Sequence, residues 1–410
     1  MQDVGGDDLK VQPTEAPRAP EGPLAGIRVL DLSGYIAAPY GCTLLADQGA
    51  EVIKIEPPQG DNLRKYPSTL AAEGRAFLGV NRGKQGLVLD LKHAEGRDVL
   101  LRLAREADVL VHNFRPSVPA RLGIDYERLR ALNPRLVYCA VTGYGERGPL
   151  KDKAGYDQVL QSMTGICAMQ GSPNDPHIVY GSVVDYYAAA LLAGGVASAL
   201  YARERTGKGQ FVGISLLRSA LAMQSARVVW AESEDRNVYR DMRSGGITGL
   251  YPTRDGNLYI SANTPHFWAA LCELIGLAAL AADPRYDTVR KRAQHAAEIV
   301  PRIREALRAR TALEWEQHFG ERVPCSAVRE VEDMFEHEQV AAEAMIDTFQ
   351  HPLVGRYRGL VSAYKFGETP AALRAPSAAP TFGQHSDAVL TRHGYSAEEI
   401  SALRSKGAVA

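Results

Sequence analysis

"IRVLDLSGYIAAPYGCTLLADQGAEVIKIE", residues 27–56, carries the reading that decides the fold. Residues 27–32 are an apolar run of strand length, 38–49 a helical stretch closed by Gly49, and 51–56 a second apolar strand. A strand, a helix and a second strand in this order predict parallel pairing through a crossover, because antiparallel partners need only a tight turn between them. The same rhythm continues outward. Strands are expected at 87–91, 108–113 and 136–143, with a helix at 94–106 between the first two. The chain therefore opens as a doubly wound α/β layer.

From Tyr156 the texture changes. Helices are expected at 156–170 and 185–204, a strand at 210–215 and a further helix reaching Ala231. The charged stretch 232–246 reads as a linker. Beyond it, 249–263 reads as a hairpin turning at Asp255-Gly256, followed by helices near 265–276, 293–308 and 311–319. The tail returns to apolar strands, "VPCSAV" (323–328) and "YRGLVSAYKF" (357–366), and ends in a small helix at 396–407. The expected fold class is α/β: a large domain over 23–231, a linker and smaller α+β domain over 232–322, and a return to the large domain over 323–410. Residues 1–22, rich in Pro, Gly and acids, read as a disordered leader without the basic start or apolar core of a signal peptide.

Composition excludes several functions. With 47 basic and 48 acidic residues the chain has no bias toward nucleic acid or anionic membrane. Cys42, Cys139, Cys167, Cys272 and Cys325 are scattered, with no C-x-x-C pair, so they read as reduced thiols in a cytoplasmic protein, without zinc or a disulfide framework. The charge-free run 186–202 falls short of a membrane span and reads as a buried helix.

"GYGERG" (143–148) has dinucleotide-binding spacing, but it runs into Pro149 where a helix should start, and it reads as a glycine-hinged loop. "VNRGKQG" (80–86) and "HNFRP" (112–116) place Lys84 and Arg115 beside strand ends, where open α/β sheets bind ligands and where cations suit phosphate. No histidine stands at metal spacing and no G-x-S-x-G elbow exists, which leaves a carboxylate as the candidate nucleophile. "GSVVDYYAAALLAGG" (181–195) supplies one: Asp185, alone at the start of a small-residue helix. Two readings of it stay open, a helix N-cap and a nucleophile kept ionised by the helix dipole.

From Pro23 onward the chain resembles the family III CoA-transferases. The resemblance is carried by "PLAGIRVLDLSG", "GAEVIKIEPPQGD" (49–61), "NRGKQGLVLDLK" (81–92), "DVLVHNFRP" (108–116), "LGIDYERLRALNPRLVYCAVTGYGERGP" (122–149), "AGYDQVLQSMTG" (154–165) and "ARERTGKGQ" (202–210), in this order. It implies a CoA-binding large domain interrupted by a smaller one, and an interlocked homodimer. It further implies transfer of CoA from an acyl-CoA donor to a carboxylic acid acceptor through an aspartyl anhydride and an aspartyl-CoA thioester, with Asp185 as the catalytic residue. Arg115, Lys84, Asn113, Tyr144 and Gly145 are the residues expected to bind CoA, which is a co-substrate; no metal or further cofactor is implied. The glycine run that serves as a lid in such enzymes has its nearest counterpart in Gly245-Gly246. Two alternatives remain: a 2-methylacyl-CoA racemase of the same fold, which uses a histidine where this chain has Tyr156, and a non-catalytic acyl-CoA-binding protein.

Overall fold

The computed structural model describes residues 22–70, 72–172, 174–234, 246–369 and 377–410. Apart from Gly22, the expected leader lies outside them, as do residues 235–245 of the expected linker, Gly245 included. By contact the chain divides into two compact units, Met1–Ser225 with Ala344–Ala410, and Ala226–Glu343.

The first unit is built on six parallel strands: β1 (Arg28–Asp31), β2 (Glu51–Glu56), β3 (Lys84–Val88), β4 (Val109–His112), β5 (Val137–Thr142) and β6 (Phe211–Ser215). Their spatial order is β3-β2-β1-β4-β5-β6. Successive strand residues enter opposite cores. Val29, Val52, Val109 and Val137 face one, while Leu30, Ile53, Leu110 and Tyr138 face the other. Strands apolar at every position must be covered on both faces, which makes the sheet doubly wound.

On the first face lie α1 (Ala37–Ala46) and α7 (Val183–Thr206); on the second lie α3 (Ala94–Glu106) and the C-terminal helices Ser386–Arg392 and Ala397–Ser405. The intervening short helices are α2 (Arg75–Asn81), α4 (Val118–Leu122), α5 (Tyr126–Leu132) and α6 (Asp157–Met163). By length and composition α7 could cross a membrane. Here it packs on α1 so closely that a Cβ at Gly41 would stand 2.9 Å from Leu192. The tail also closes the β3 edge, since His385 and Gly86 exchange two hydrogen bonds, Gly86 N–H to Nδ1 at 3.0 Å and His385 N–H to the Gly86 carbonyl at 2.9 Å.

Strand β3 starts at Lys84, three residues before the expected start, because Lys84 is a core residue. Its ammonium spends its three hydrogens on Asp31 (2.8 Å), the Pro39 carbonyl (2.7 Å) and Asn81 (2.8 Å), with the side chain fully buried. Lys84 is therefore not a phosphate ligand, contrary to the sequence reading. A second buried pair, Lys54–Asp61 at 2.8 Å, lies beside it, and Arg64 joins Glu56 to Glu73. Burial alone would push the Asp31 carboxyl up, but Lys84 and Lys54 bring it down to about 2.

The second unit contains an antiparallel sheet, in which Gly249–Pro252 and Asn257–Ile260 form the expected hairpin. Cys325–Ala327 pairs with Asn257–Ile260 as its third strand, so the chain leaves this unit near Ala344 and not at Val323. The helix expected over 156–170 stops at Met163, where the Thr164 hydroxyl turns back to the Leu160 carbonyl at 2.6 Å.

Replacing Lys84 by Met leaves Asp31 charged and unpaired in the core, so unfolding in denaturant should show a loss of about 3–5 kcal/mol. Lys92→Met, at an exposed position, should change stability by less than about 0.5 kcal/mol. Equal effects for the two would contradict the buried pair.

Candidate active site

Strand order reverses between β1 and β4, and there the segments leaving the two carboxyl ends run apart and open a crevice. A cleft of about 310 Å³ occupies it. Its walls are Tyr35 and Ile36 after β1, Asn113–Pro116 after β4, Thr142 and Gly143 at the end of β5, the loop residues Lys151 and Lys153–Asp157, and Ser182 and Asp185 at the start of α7. Gly143 and Gly155 touch backbone to backbone, since a Cβ on Gly143 would meet the Gly155 Cα at 2.9 Å. Two loops can thus meet at the cleft wall.

Two wall residues have left-handed backbones without being glycine, Tyr35 (φ 64°) and Ser182 (φ 57°). Such residues are held in place by their surroundings. The Tyr35 N–H donates to Asp61 at 3.3 Å, and its hydroxyl accepts from Asn62 at 2.8 Å. Asn113 clasps the same turn, accepting from the Gly34 N–H at 3.1 Å and donating to the Gly34 carbonyl at 2.7 Å. Asn113 lines the cleft, as its assignment required, with its amide already engaged.

At the start of α7 the capping role belongs to Asp157. Its Oδ2 accepts from the Val184 N–H at 2.6 Å and the Asp185 N–H at 3.0 Å. Asp185 stands at the third helical position, and among the described residues its carboxyl has no hydrogen-bond or ion-pair partner. The N-cap reading of Asp185 is thereby replaced. Its ionised form is also less favoured than the sequence suggested: burial first, and Asp157 second, push its carboxyl up to about 7. The two amides that would have been free to support an oxyanion are occupied by Asp157.

The cations of the cleft are Arg115, Lys151 and Lys153, all exposed and without ion pairs among the described residues. Arg115 was assigned from its strand-end position. The two lysines were missed, although "LKDK" stands directly before the Ala154–Asp157 segment that lines the cleft. Tyr144 and Gly145 do not line it. Tyr144 is a core residue whose hydroxyl donates to the Ala154 carbonyl at 3.4 Å, and the Gly145 N–H closes the turn onto Thr142 at 3.0 Å. No histidine lines the cleft. His112, nearby on β4, is buried, and burial lowers it to about 3. A second cleft of about 610 Å³ adjoins through Phe114 and has Pro57, Pro58, Leu91 and Leu122 in its walls and Lys92 and Arg121 as its cations.

A switch-point cleft with unpaired cations, next to a carboxyl freed from capping, defines an α/β protein suited to an anionic, phosphate-bearing substrate. The chain belongs to CoA-transferase family III, whose sequence pattern matches residues 24–386. It is 35% identical over 381 residues to acetyl-CoA:oxalate CoA-transferase of Acetobacter aceti, covering 89% of this chain and 98% of that one. It is 32% identical over 386 residues to succinate–glutarate CoA-transferase of Agrobacterium fabrum, covering 90% and 95%. The crystal structure of Rv3272 from M. tuberculosis is similar with a TM-score of 0.79 at 29% identity, across 90% of this chain and 99% of that one. The protein is accordingly an enzyme, a CoA-transferase.

The raised Asp185 carboxyl has a consequence for stability. An unfolded aspartate releases its proton near pH 3.9, whereas the folded protein keeps it until about 7. The folded state thus binds the extra proton, and stability falls as pH rises through that window. Asp185→Asn removes the penalty: its thermal midpoint should exceed that of the wild type by several degrees at pH 8 and match it near pH 4. Equal midpoints at both pH values would contradict the raised carboxyl.

Proposed function

We propose that the enzyme moves CoA from an acyl-CoA donor to a small carboxylic acid with Asp185 as nucleophile. The observation that carries this reading is the unbonded Asp185 carboxyl in the cleft while Asp157 serves as the helix cap. An Asp185 oxygen attacks the donor's thioester carbon, the C–S bond breaks, and CoA thiolate leaves a mixed anhydride. The thiolate then attacks the Asp185 carbonyl carbon, releasing the donor acid and forming an aspartyl-CoA thioester. An acceptor carboxylate displaces the thiolate again, and the thiolate takes the acceptor's acyl group from the second anhydride, restoring Asp185. Splitting one exchange into these steps avoids direct attack of a weak carboxylate on a distant thioester. A carboxylate whose conjugate acid lies near 7 is more basic than an ordinary aspartate, and its reactive form is still abundant at neutral pH.

CoA is placed along the carboxyl ends of the strands, with its phosphates near Arg115, Lys151 and Lys153 and its nucleotide reaching the adjoining cleft past Phe114. Acceptor chemistry follows the relatives, which act on oxalate and on succinate and glutarate by their names. A homodimer is part of the reading. Tyr180 and Tyr201 of the first unit are 84% and 66% exposed, apolar surface that a second copy would cover. The five unpaired thiols fit a cytoplasmic protein.

The racemase alternative needs a second acid/base group near neutrality. Position 156 is tyrosine, and an unperturbed phenol near pKa 10 is a poor base at pH 7. Asp185→Asn should therefore abolish transfer from donor acyl-CoA to dicarboxylic acids while CoA still binds. Solvent deuterium appearing at the α-carbon of a 2-methylacyl-CoA, without acyl exchange to any acid, would overturn the proposal. Arg115→Ala should weaken CoA binding at low salt, with a smaller difference at high salt because an exposed phosphate contact is screened. Unchanged affinity at low salt would remove Arg115 from the site.

A further inference from the structure

We infer that Asp157 is a positioning residue for Asp185: a fixed negative charge, locked by Gln161, that holds the first turn of α7 and faces the nucleophile. The inference rests on the proposed role of Asp185, and its geometry is independent of that role.

The orientation of Gln161 settles which atoms meet Asp157. The Val179 N–H donates to Gln161 Oε1 at 2.8 Å, which leaves Nε2 to donate, both to the Val179 carbonyl at 2.9 Å and to Asp157 Oδ1. The other carboxyl oxygen of Asp157 accepts the Val184 and Asp185 amides. Every partner of Asp157 is thus a donor, and neither oxygen has an acceptor to which a proton could be given. A fully buried carboxyl in that setting is held as carboxylate, because three donated hydrogen bonds favour the charged form. Gln161 performs a second task, since its two bonds to Val179 fix the approach to Ser182, whose left-handed backbone turns the chain into α7.

The arrangement acts on Asp185 twice. It fixes the backbone from which the nucleophile projects, and it places an anion beside the anion that must form. The other groups facing Asp185 are Tyr186 on its own helix, with Tyr40 of α1 behind it, and across the cleft Tyr35, Tyr66, Tyr156, Arg115, Lys151 and Lys153. Of all these groups Asp157 alone is a carboxylate. Its repulsion, added to burial, explains the raised Asp185 carboxyl. The repulsion disappears when Asp185 is acylated, since anhydride and thioester are neutral. Asp157 therefore favours the acylated enzyme over the free one, which is the direction the first step needs.

The test is an infrared titration of the Asp185 carboxyl, read as each protein minus its Asp185→Asn counterpart, in Asp157→Asn and Asp157→Ser. Both variants remove the charge, and the first keeps an oxygen for the α7 amides, so one folded variant is enough. The proposal expects the Asp185 inflection to fall by about one pH unit or more from its wild-type position, with the ionised share at pH 6 rising severalfold. Where transfer is measurable, the pH profile of kcat/KM should move by the same amount. A cap without an electrostatic role would leave the inflection where it is in a folded variant, and that result would overturn the proposal. The titration needs no turnover, so absence of transferase activity would count against the reading of Asp185 and leave this test intact.

Discussion

Two lysines with no exposed side-chain surface, Lys54 and Lys84, hold the carboxyl ends of β1, β2 and β3 together. Each is paired with an aspartate at 2.8 Å. Such pairs add little net stability over apolar packing, but removing one partner strands a charge in the core, so they fix geometry by making alternatives expensive. The geometry they fix is the floor of the cleft. Asp61, paired with Lys54, also receives the Tyr35 amide and thereby holds the left-handed turn after β1. The opening at the strand switch point is a consequence of this buried charge arrangement.

The opposite wall is organised by a carboxylate used as a distant cap. An aspartate at its own helix start would spend its oxygens on the first-turn amides. Here Asp157, 28 positions earlier and on another helix, takes those amides and leaves Asp185 unbonded. Function follows from that exchange of roles, since a capping carboxyl is satisfied and a free one in a cleft is reactive. The same exchange raises its protonation range, so reactivity is gained against stability above neutral pH.

The fold was legible because strand residues such as Val29 and Leu30, or Val109 and Leu110, are apolar on both faces, a pattern that only a doubly covered parallel sheet satisfies. The expected β3 range failed at Lys84, because a lysine at a strand start looks like solvated surface and its partner Asp31 lies 53 positions away. Asp185 and Arg115 were legible from their places at a helix start and a strand end. Asp157 was not, since its effect passes through amides 27 and 28 positions ahead of it. Tyr144 and Gly145 misled because their glycine spacing imitates a nucleotide loop that the structure folds away from the cleft.

The central claim is that Asp185 becomes covalently acylated. The most direct measurement incubates the enzyme with a donor acyl-CoA, quenches with hydroxylamine, and locates the resulting hydroxamate by peptide mass spectrometry. The account predicts modification at Asp185, dependent on acyl-CoA and absent from the Asp185→Asn variant. Active transfer with Asp185 unmodified, or modification at another carboxylate, would contradict it.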